Sequence, residues 1–180
     1  MSRPGVFLDR DGVLNRPIVR SGRPHPPETV AQVRLLPGAA EACRDLSLAG
    51  FTLVCVTNQP DIARGTHDLA TVAAINDYVR KVLGLDEVVV CPHDDTDGCV
   101  CRKPLPGMIL DAARRRDIDV SRSVTVGDRW RDVEAGRAAG TWTVFIDWGY
   151  DEQRPDHPDL TVTALQQAVP WIIDKARSLS

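Results

Sequence analysis

The chain has 180 residues, 43% of them hydrophobic, which suits one compact domain over 1–180 with a real core and leaves no room for two full ones. Its formal charge is −3 and its one short basic run, Arg114–Arg115–Arg116, reads as a solvated helix face, so no nucleic-acid partner is expected. No apolar stretch reaches signal-peptide or bilayer-spanning length, which predicts a cytoplasmic protein without a membrane partner, expected to be a monomer.

In chain order, Gly5 to Asp9, Phe51 to Thr57, Glu87 to Cys91, Ser123 to Gly127 and Thr143 to Asp147 read as short, buried β-strands. Helical spacing occupies Gly38 to Ala49, Asp68 to Leu83, Pro106 to Arg116 and Arg131 to Ala139, and Val162 to Ala176 forms a last amphipathic segment. Pro37-Gly38 and Pro106 open helices, while Gly50 and Gly140 close them. The alternation predicts an α/β fold, doubly wound around a mainly parallel, five-stranded Rossmann-like sheet. Two stretches resist the pattern, Asn15 to Leu36 and Pro92 to Leu105, and both read as functional excursions. Cys43 and Cys55 fall inside apolar patterns as core residues.

The sharpest local signal is Phe7-Leu8-Asp9-Arg10-Asp11-Gly12, an apolar strand ending in two aspartates two residues apart. In an extended chain that spacing points both carboxylates the same way. Such a pair is costly unless a cation neutralises it, and a hard divalent ion such as Mg²⁺ is the natural partner. Asp9 is then the candidate nucleophile on phosphorus and Asp11 the candidate proton donor to a leaving oxygen. An acidic turn after a strand is the structural alternative.

Three further pieces each follow a predicted strand. Thr57-Asn58 offers a hydroxyl and backbone N–H groups to phosphate oxygens, although Thr-Asn also suits an ordinary turn. Lys103 offers an ammonium that can bridge a carboxylate and a phosphate, with a surface lysine as the alternative. Asp128 would meet Asp9 across the switch point of the sheet to complete a Mg²⁺ site, and Asp132 would support it from behind. Either of these aspartates could instead cap the following helix. Arg102 and Arg64 are candidates to hold a second anionic group, with surface ion pairs as the alternative.

Cys91-Pro-His93 and Cys99-Val-Cys101 supply four soft or borderline ligands within eleven residues, enough for a closed, structural zinc site. Arg102-Lys103 follows the last of them directly, so the clip would also place Lys103.

Together Asp9-x-Asp11, Thr57, Lys103 and Gly127-Asp128 resemble the four motifs of haloacid dehalogenase superfamily phosphatases, and the likeness runs over nearly the whole chain. That resemblance implies Mg²⁺ held by Asp9, the backbone carbonyl of Asp11 and Asp128. It also implies an aspartyl-phosphate on Asp9, with Asp11 as acid and then base. FLDRDGVLN, TNQPDIARG, CPH, CVCRKP and GDRWRDVEAG are similar to one branch, the D-glycero-D-manno-heptose 1,7-bisphosphate phosphatases and the related histidinol-phosphate phosphatases. The substrate it implies is a small phosphorylated sugar, the heptose bisphosphate losing its C7 phosphate, bound by Asn58, Arg102 and Arg64 in an open site without a large cap domain. Pro60-Asp61 stands where many heptose bisphosphatases have Ser-Gly, and the spacing between the cysteine pairs is short for them. Two rival readings are a receiver-like phosphoacceptor module and a nucleic-acid end phosphatase. The position of Asp9 after the first strand opposes the former, and the acidic balance opposes the latter.

Overall fold

A computed structural model describes residues 2–20 and 23–178. The first strand, β1 (Arg3–Leu8), leads into a hairpin of β2 (Ile18–Arg20) and β3 (Arg23–His25), followed by a single 3-10 turn at Val30–Gln32. Then come α1 (Ala39–Leu48), β4 (Thr52–Asn58), α2 (Leu69–Leu83), β5 (Glu87–Cys91), α3 (Gly107–Arg116), β6 (Ile118–Gly127), α4 (Trp130–Ala139), β7 (Trp142–Ile146), β8 (Leu160–Val162) and α5 (Leu165–Arg177).

The main sheet has the order β5-β4-β1-β6-β7-β8, and every pairing in it is parallel. From β1 the chain steps outward to β4 and β5, then crosses back to β6 on the other side of β1. This reversal makes the carboxyl ends of β1, β4 and β6 the switch point of the sheet, where ligands bind in open α/β folds.

The inner strands β1, β4, β6 and β7 are largely apolar where they cross the core because both of their faces are covered there. Val6 and Leu8 of β1 pack with Leu53 and Cys55 of β4 against Ala42 and Leu46 of α1, Ile75 of α2 and Ile172 of α5. On the opposite face Phe7, Val54 and Val56 meet Met108 and Ile109 of α3 and Ala135 of α4. Cys43 and Cys55 are both fully buried in the first of these layers, as expected.

The expected count of five strands is corrected to six. The additional strand, β8, has only three residues, none of them buried, so it lacks the apolar run by which an inner strand announces itself. Val162, read as the start of the last helix, closes β8, and α5 begins three residues later at Leu165. The stretch read as an excursion after Asn15 contains the β2–β3 hairpin, with Ser21 and Gly22 outside the described residues. No cap-sized layer interrupts the sheet among the described residues, and none of their helices is long and apolar enough to cross a membrane.

The basic run falls in the last turn of α3, where Arg115 and Arg116 both pair with Glu87 at the edge of the sheet. Cations are favoured at that end of a helix.

Candidate active site

The loop after β1 turns sharply at Gly12, whose φ of +94° is open to glycine and strained for other residues. A β-carbon there would lie 1.9 Å from Oδ2 of Asp128, so the glycine also lets the two strand-end loops close on each other. The indole of Trp148 donates to the Gly12 carbonyl at 2.9 Å and holds the turn from outside.

Asp9, Asp128 and Asp132 each bring a carboxylate oxygen within 4.8 Å of the others. Lys103, 3% exposed, sits among them: its Nζ lies 2.7 Å from Asp9 Oδ1, 2.5 Å from Asp132 Oδ1 and 2.8 Å from the Val56 carbonyl. Burial alone lowers the affinity of Lys103 for its proton, and the charges of Asp132 and Asp9 outweigh it and hold the ammonium firmly charged. Burial pushes the Asp9 carboxyl up to about 6, offset in part by Lys103 and reinforced by Asp132. Burial, Asp9 and Asp132 hold the Asp128 carboxyl well above its ordinary value.

With all three carboxylates ionised, the single ammonium leaves the cluster two positive charges short, and it is burial together with this shortage that pushes Asp9 and Asp128 up. Neither carboxylate oxygen of Asp128, both buried, has a hydrogen bond of ordinary geometry, nor has the Tyr150 hydroxyl, which lies close enough to Asp128 to draw its carboxyl partly back down. A buried carboxylate stripped of donors is costly unless a cation takes their place. Charge deficit, orphaned oxygens and hard oxygen donors all fit one divalent cation such as Mg²⁺.

Asp132 resolves two readings at once. Its Oδ2 accepts from the Arg129 N–H at 3.0 Å and caps α4, while its Oδ1 faces Lys103. Asp128 caps nothing.

The Asp11 side chain stands apart from the carboxylate trio. Arg10, itself 1% exposed, turns back to grip both Asp11 oxygens at 3.3 and 2.8 Å, and its other arm donates to Asn76 at 2.6 Å. Asn15 and Gln59 donate to Asp11 at 2.8 and 3.2 Å. Gln59 also donates to the Thr57 hydroxyl at 2.9 Å, which ties the second strand-end loop to the first. Arg10, Asn15 and Gln59 escaped sequence reading because each looks like an ordinary polar loop residue until its partner is seen.

Asn58, expected to touch substrate, lines the active-site cleft and also spends its amide on the protein. It donates to the Lys103 carbonyl and accepts from the Lys103 N–H, at 3.0 and 3.1 Å, bracketing the backbone of that lysine. Arg64 is likewise engaged, gripping both oxygens of Asp94 at 2.7 and 2.8 Å. A cleft of about 410 Å³ opens above Asp9, Asp11, Thr57 and Lys103, and Arg64, Arg102, Arg129 and Arg131 line it. Asp128 is buried and does not line it.

The four Cys/His ligand atoms converge beside this cleft. Cys91 Sγ is 3.8 Å from Cys99 Sγ and 3.3 Å from Cys101 Sγ, and His93 Nδ1 is 3.6 and 3.3 Å from Cys91 and Cys101. A tetrahedral zinc ion separates sulfur and nitrogen ligands by about 3.5–3.8 Å. A disulfide would need a sulfur pair at about 2.05 Å. The cluster can therefore hold a metal ion, and its soft donors set it apart from the all-oxygen site.

Removing the buried ammonium has a defined consequence. Lys103→Met leaves the carboxylates three charges short, and breaking buried pairs of this kind costs about 3–5 kcal/mol. Urea unfolding without divalent ions is expected to show that loss, with part of it recovered in excess Mg²⁺. Equal stability of variant and parent in Mg²⁺-free buffer would contradict the charge count.

Comparison with known families bears directly on this arrangement. Residues 22–140 match the model of the haloacid dehalogenase-like hydrolases. The chain belongs to that family. Among these hydrolases it is 43% identical over 143 residues to a D-glycero-beta-D-manno-heptose-1,7-bisphosphate 7-phosphatase of Bordetella bronchiseptica, covering 75% of each chain. It is 34% identical to a D-glycero-D-manno-heptose-1,7-bisphosphate 7-phosphatase of Thermosynechococcus vestitus, covering 96% of each. A crystal structure of the D,D-heptose 1,7-bisphosphate phosphatase from B. bronchiseptica, complexed with magnesium and phosphate, superposes with a TM-score of 0.78 at 32% identity, over 96% of this chain and 99% of the other. The haloacid dehalogenase-like fold expected from the four motifs is thus the fold observed, and the named relatives are phosphatases.

Proposed function

We propose that this chain is a Mg²⁺-dependent phosphatase that removes the C7 phosphate of D-glycero-D-manno-heptose 1,7-bisphosphate. Support comes from a cleft lined by Asp9 and Lys103, whose charges suit a phosphate, and by four arginines that suit a second anion. Relatives carrying that activity in their names, at 33–43% identity, point the same way.

In this reading Asp9, Asp128 and the backbone carbonyl of Asp11 hold Mg²⁺, which would neutralise charge on the carboxylates and on the phosphate. An Asp9 oxygen attacks phosphorus, the bond from phosphorus to the sugar oxygen breaks, and Asp11 gives that oxygen a proton. Asp11 then takes a proton from water, whose oxygen attacks the phosphorus of the aspartyl-phosphate and frees Asp9 and inorganic phosphate. To act first as an acid, Asp11 must release one of its donors, and the long contact from Gln59 lies on the cleft. Lys103 offsets repulsion between Asp9 and the incoming phosphate, and the Thr57 hydroxyl donates to its oxygens. Asp132 orients Lys103. Asn58 contributes by fixing the Lys103 backbone, and Arg64 lines the cleft from its pairing with Asp94. Zn²⁺ on Cys91, His93, Cys99 and Cys101 has a structural role.

The same reading takes residues 1–180 as one domain, acting as a cytoplasmic monomer on a small metabolite without nucleic-acid or membrane partners. Histidinol phosphate is the rival substrate. Its cationic amine suits an arginine-lined wall poorly. Phosphate release from both compounds at equal Mg²⁺, with each anomer of the bisphosphate, is expected to favour the bisphosphate at least tenfold in kcat/KM. Faster turnover of histidinol phosphate would overturn the assignment.

A further inference from the structure

We propose that Arg131, in the first turn of α4, determines specificity: with Arg102 it binds the second anionic group of the substrate, and Asp95 holds the two guanidinium groups together. This deepens the phosphatase reading and rests on it.

The argument begins with charge. Four arginines line the cleft, and two have a carboxylate to themselves. Arg64 grips both oxygens of Asp94, and Arg129 sits on Glu152 at 3.0 and 2.9 Å. Lys103 is matched by Asp9 and Asp132. Arg102 and Arg131 must share one atom, Asp95 Oδ1, at 2.7 and 2.8 Å. One negative charge thus serves two positive ones, whereas Arg64 has Asp61 at 3.8 Å as well as Asp94, so this pair carries the least neutralised positive charge on the wall.

The donors tell the same story. Arg102 spends Nε on Asp95 and Nη1 on the His93 carbonyl at 3.1 Å, which leaves Nη2 without a hydrogen bond to another described residue. Arg131 spends only Nη1, and its guanidinium lies over the Trp130 ring at 5.1 Å, which limits its rotation. Its Nε and Nη2 make no hydrogen bond to a described residue. Two side-by-side guanidinium groups with unused N–H groups match the oxygens of a phosphate dianion.

Asp95 explains how they come to lie together. Two guanidinium groups in contact repel each other, and a carboxylate oxygen between them offsets that repulsion. Asp95 belongs to the Cys/His loop, Arg102 follows its last cysteine, and Arg131 comes from α4. The carboxylate thus joins the loop to the helix across the cleft, as a positioning residue that need not touch substrate.

The test compares heptose 1,7-bisphosphate with heptose 7-phosphate, which lacks only the second phosphate. Arg131→Ala is expected to lower the bisphosphate-to-monophosphate ratio of kcat/KM by roughly tenfold or more, through KM rather than kcat. Arg131→Lys should recover part of the ratio, and Asp95→Ala should lower it by a smaller factor. Thermal unfolding of each variant reports whether the fold persists. An unchanged ratio in Arg131→Ala would sink the proposal, and so would tighter bisphosphate binding in Asp95→Ala, because Asp95 would then be a competitor for the arginines.

Calorimetric binding of fructose 1,6-bisphosphate and fructose 6-phosphate to the Mg²⁺-loaded protein reads the same arginines with no assumption about the heptose. The bisphosphate should bind more tightly, and Arg131→Ala should shrink the difference. If neither heptose phosphate is turned over and this difference still depends on Arg131, the heptose assignment fails and the anion site stands. Loss of Arg131 dependence in both measurements overturns the anion site itself.

Discussion

Asp9→Asn is expected to release phosphate at least about a thousandfold more slowly than the parent while folding normally, because it replaces the nucleophilic carboxylate by a neutral amide whose oxygen attacks phosphorus poorly. Stability and activity should move in opposite directions. Asp9 shares Lys103 with Asp132 inside a cluster two positive charges short, and burial already pushes its carboxyl up to about 6. A neutral amide leaves the cluster one charge short, so Mg²⁺-free unfolding should show equal or greater stability than the parent. The gain from added Mg²⁺ should shrink, since the ion would lose an anionic partner. Acid-quenched reactions with labelled substrate should trap label on the parent and none on the variant. Substantial turnover by Asp9→Asn would remove the covalent intermediate from the mechanism. Repeated turnover by the parent separates an enzyme from a receiver-like module that is phosphorylated once and waits.

The parts of this site that were legible in the sequence share a physical cause. Asp9, Thr57 and Asp128 each follow an apolar run buried on both faces, so the pattern that marks a strand also marks its carboxyl end. In a doubly wound sheet those ends converge. Cys91 and His93 were legible for a second reason: ligand chemistry at tight spacing has few other uses. Side-chain partnerships across loops left no such trace. Arg10 sits between two aspartates and in an extended chain would point away from them, yet it is buried and folds back onto Asp11. Asn58 and Arg64 are substrate-binding candidates in the sequence and both line the cleft, but their protein partners, the Lys103 backbone and Asp94, depend on tertiary packing. Arg131 lies in the same stretch as Asp128 and Asp132, and its meeting with Asp95 spans 36 residues of chain. The strand Leu160–Val162 was missed because an edge strand with no buried residue has no hydrophobic signature to read.

Cys101→Ser is expected to strip the loop of its metal and to reduce both stability and turnover, although Cys101 touches neither phosphate nor Mg²⁺ in the proposed mechanism. The segment from Asp94 to Gly98 is rich in acidic and small residues and mostly exposed, so it has little to bury. Apart from ligand contacts, it is pinned by Arg64–Asp94, Arg102–Asp95 and Arg131–Asp95, pairs in which at least one side chain is well exposed. Exposed ion pairs contribute only about 0–1 kcal/mol each, whereas a structural zinc site contributes apparent binding energies of about 10–16 kcal/mol in small peptides. The ion should therefore dominate the order of the loop. Cys101 stands two residues before Lys103, so a loosened loop displaces the ammonium that balances Asp9. A misplacement of about 1 Å at a reacting centre can cost a hundredfold in rate. Asn58 still brackets the Lys103 backbone, which argues for a fall in kcat of roughly tenfold to a hundredfold rather than complete loss. Elemental analysis should find one zinc equivalent in the parent and less in the variant, and the variant should melt at lower temperature. Chelator treatment of the parent should lower its melting temperature in the same way, with recovery on adding Zn²⁺ and none on adding Mg²⁺ alone. A parent that carries no zinc and melts at the same temperature as the variant would show that the four ligand atoms hold the loop by packing alone.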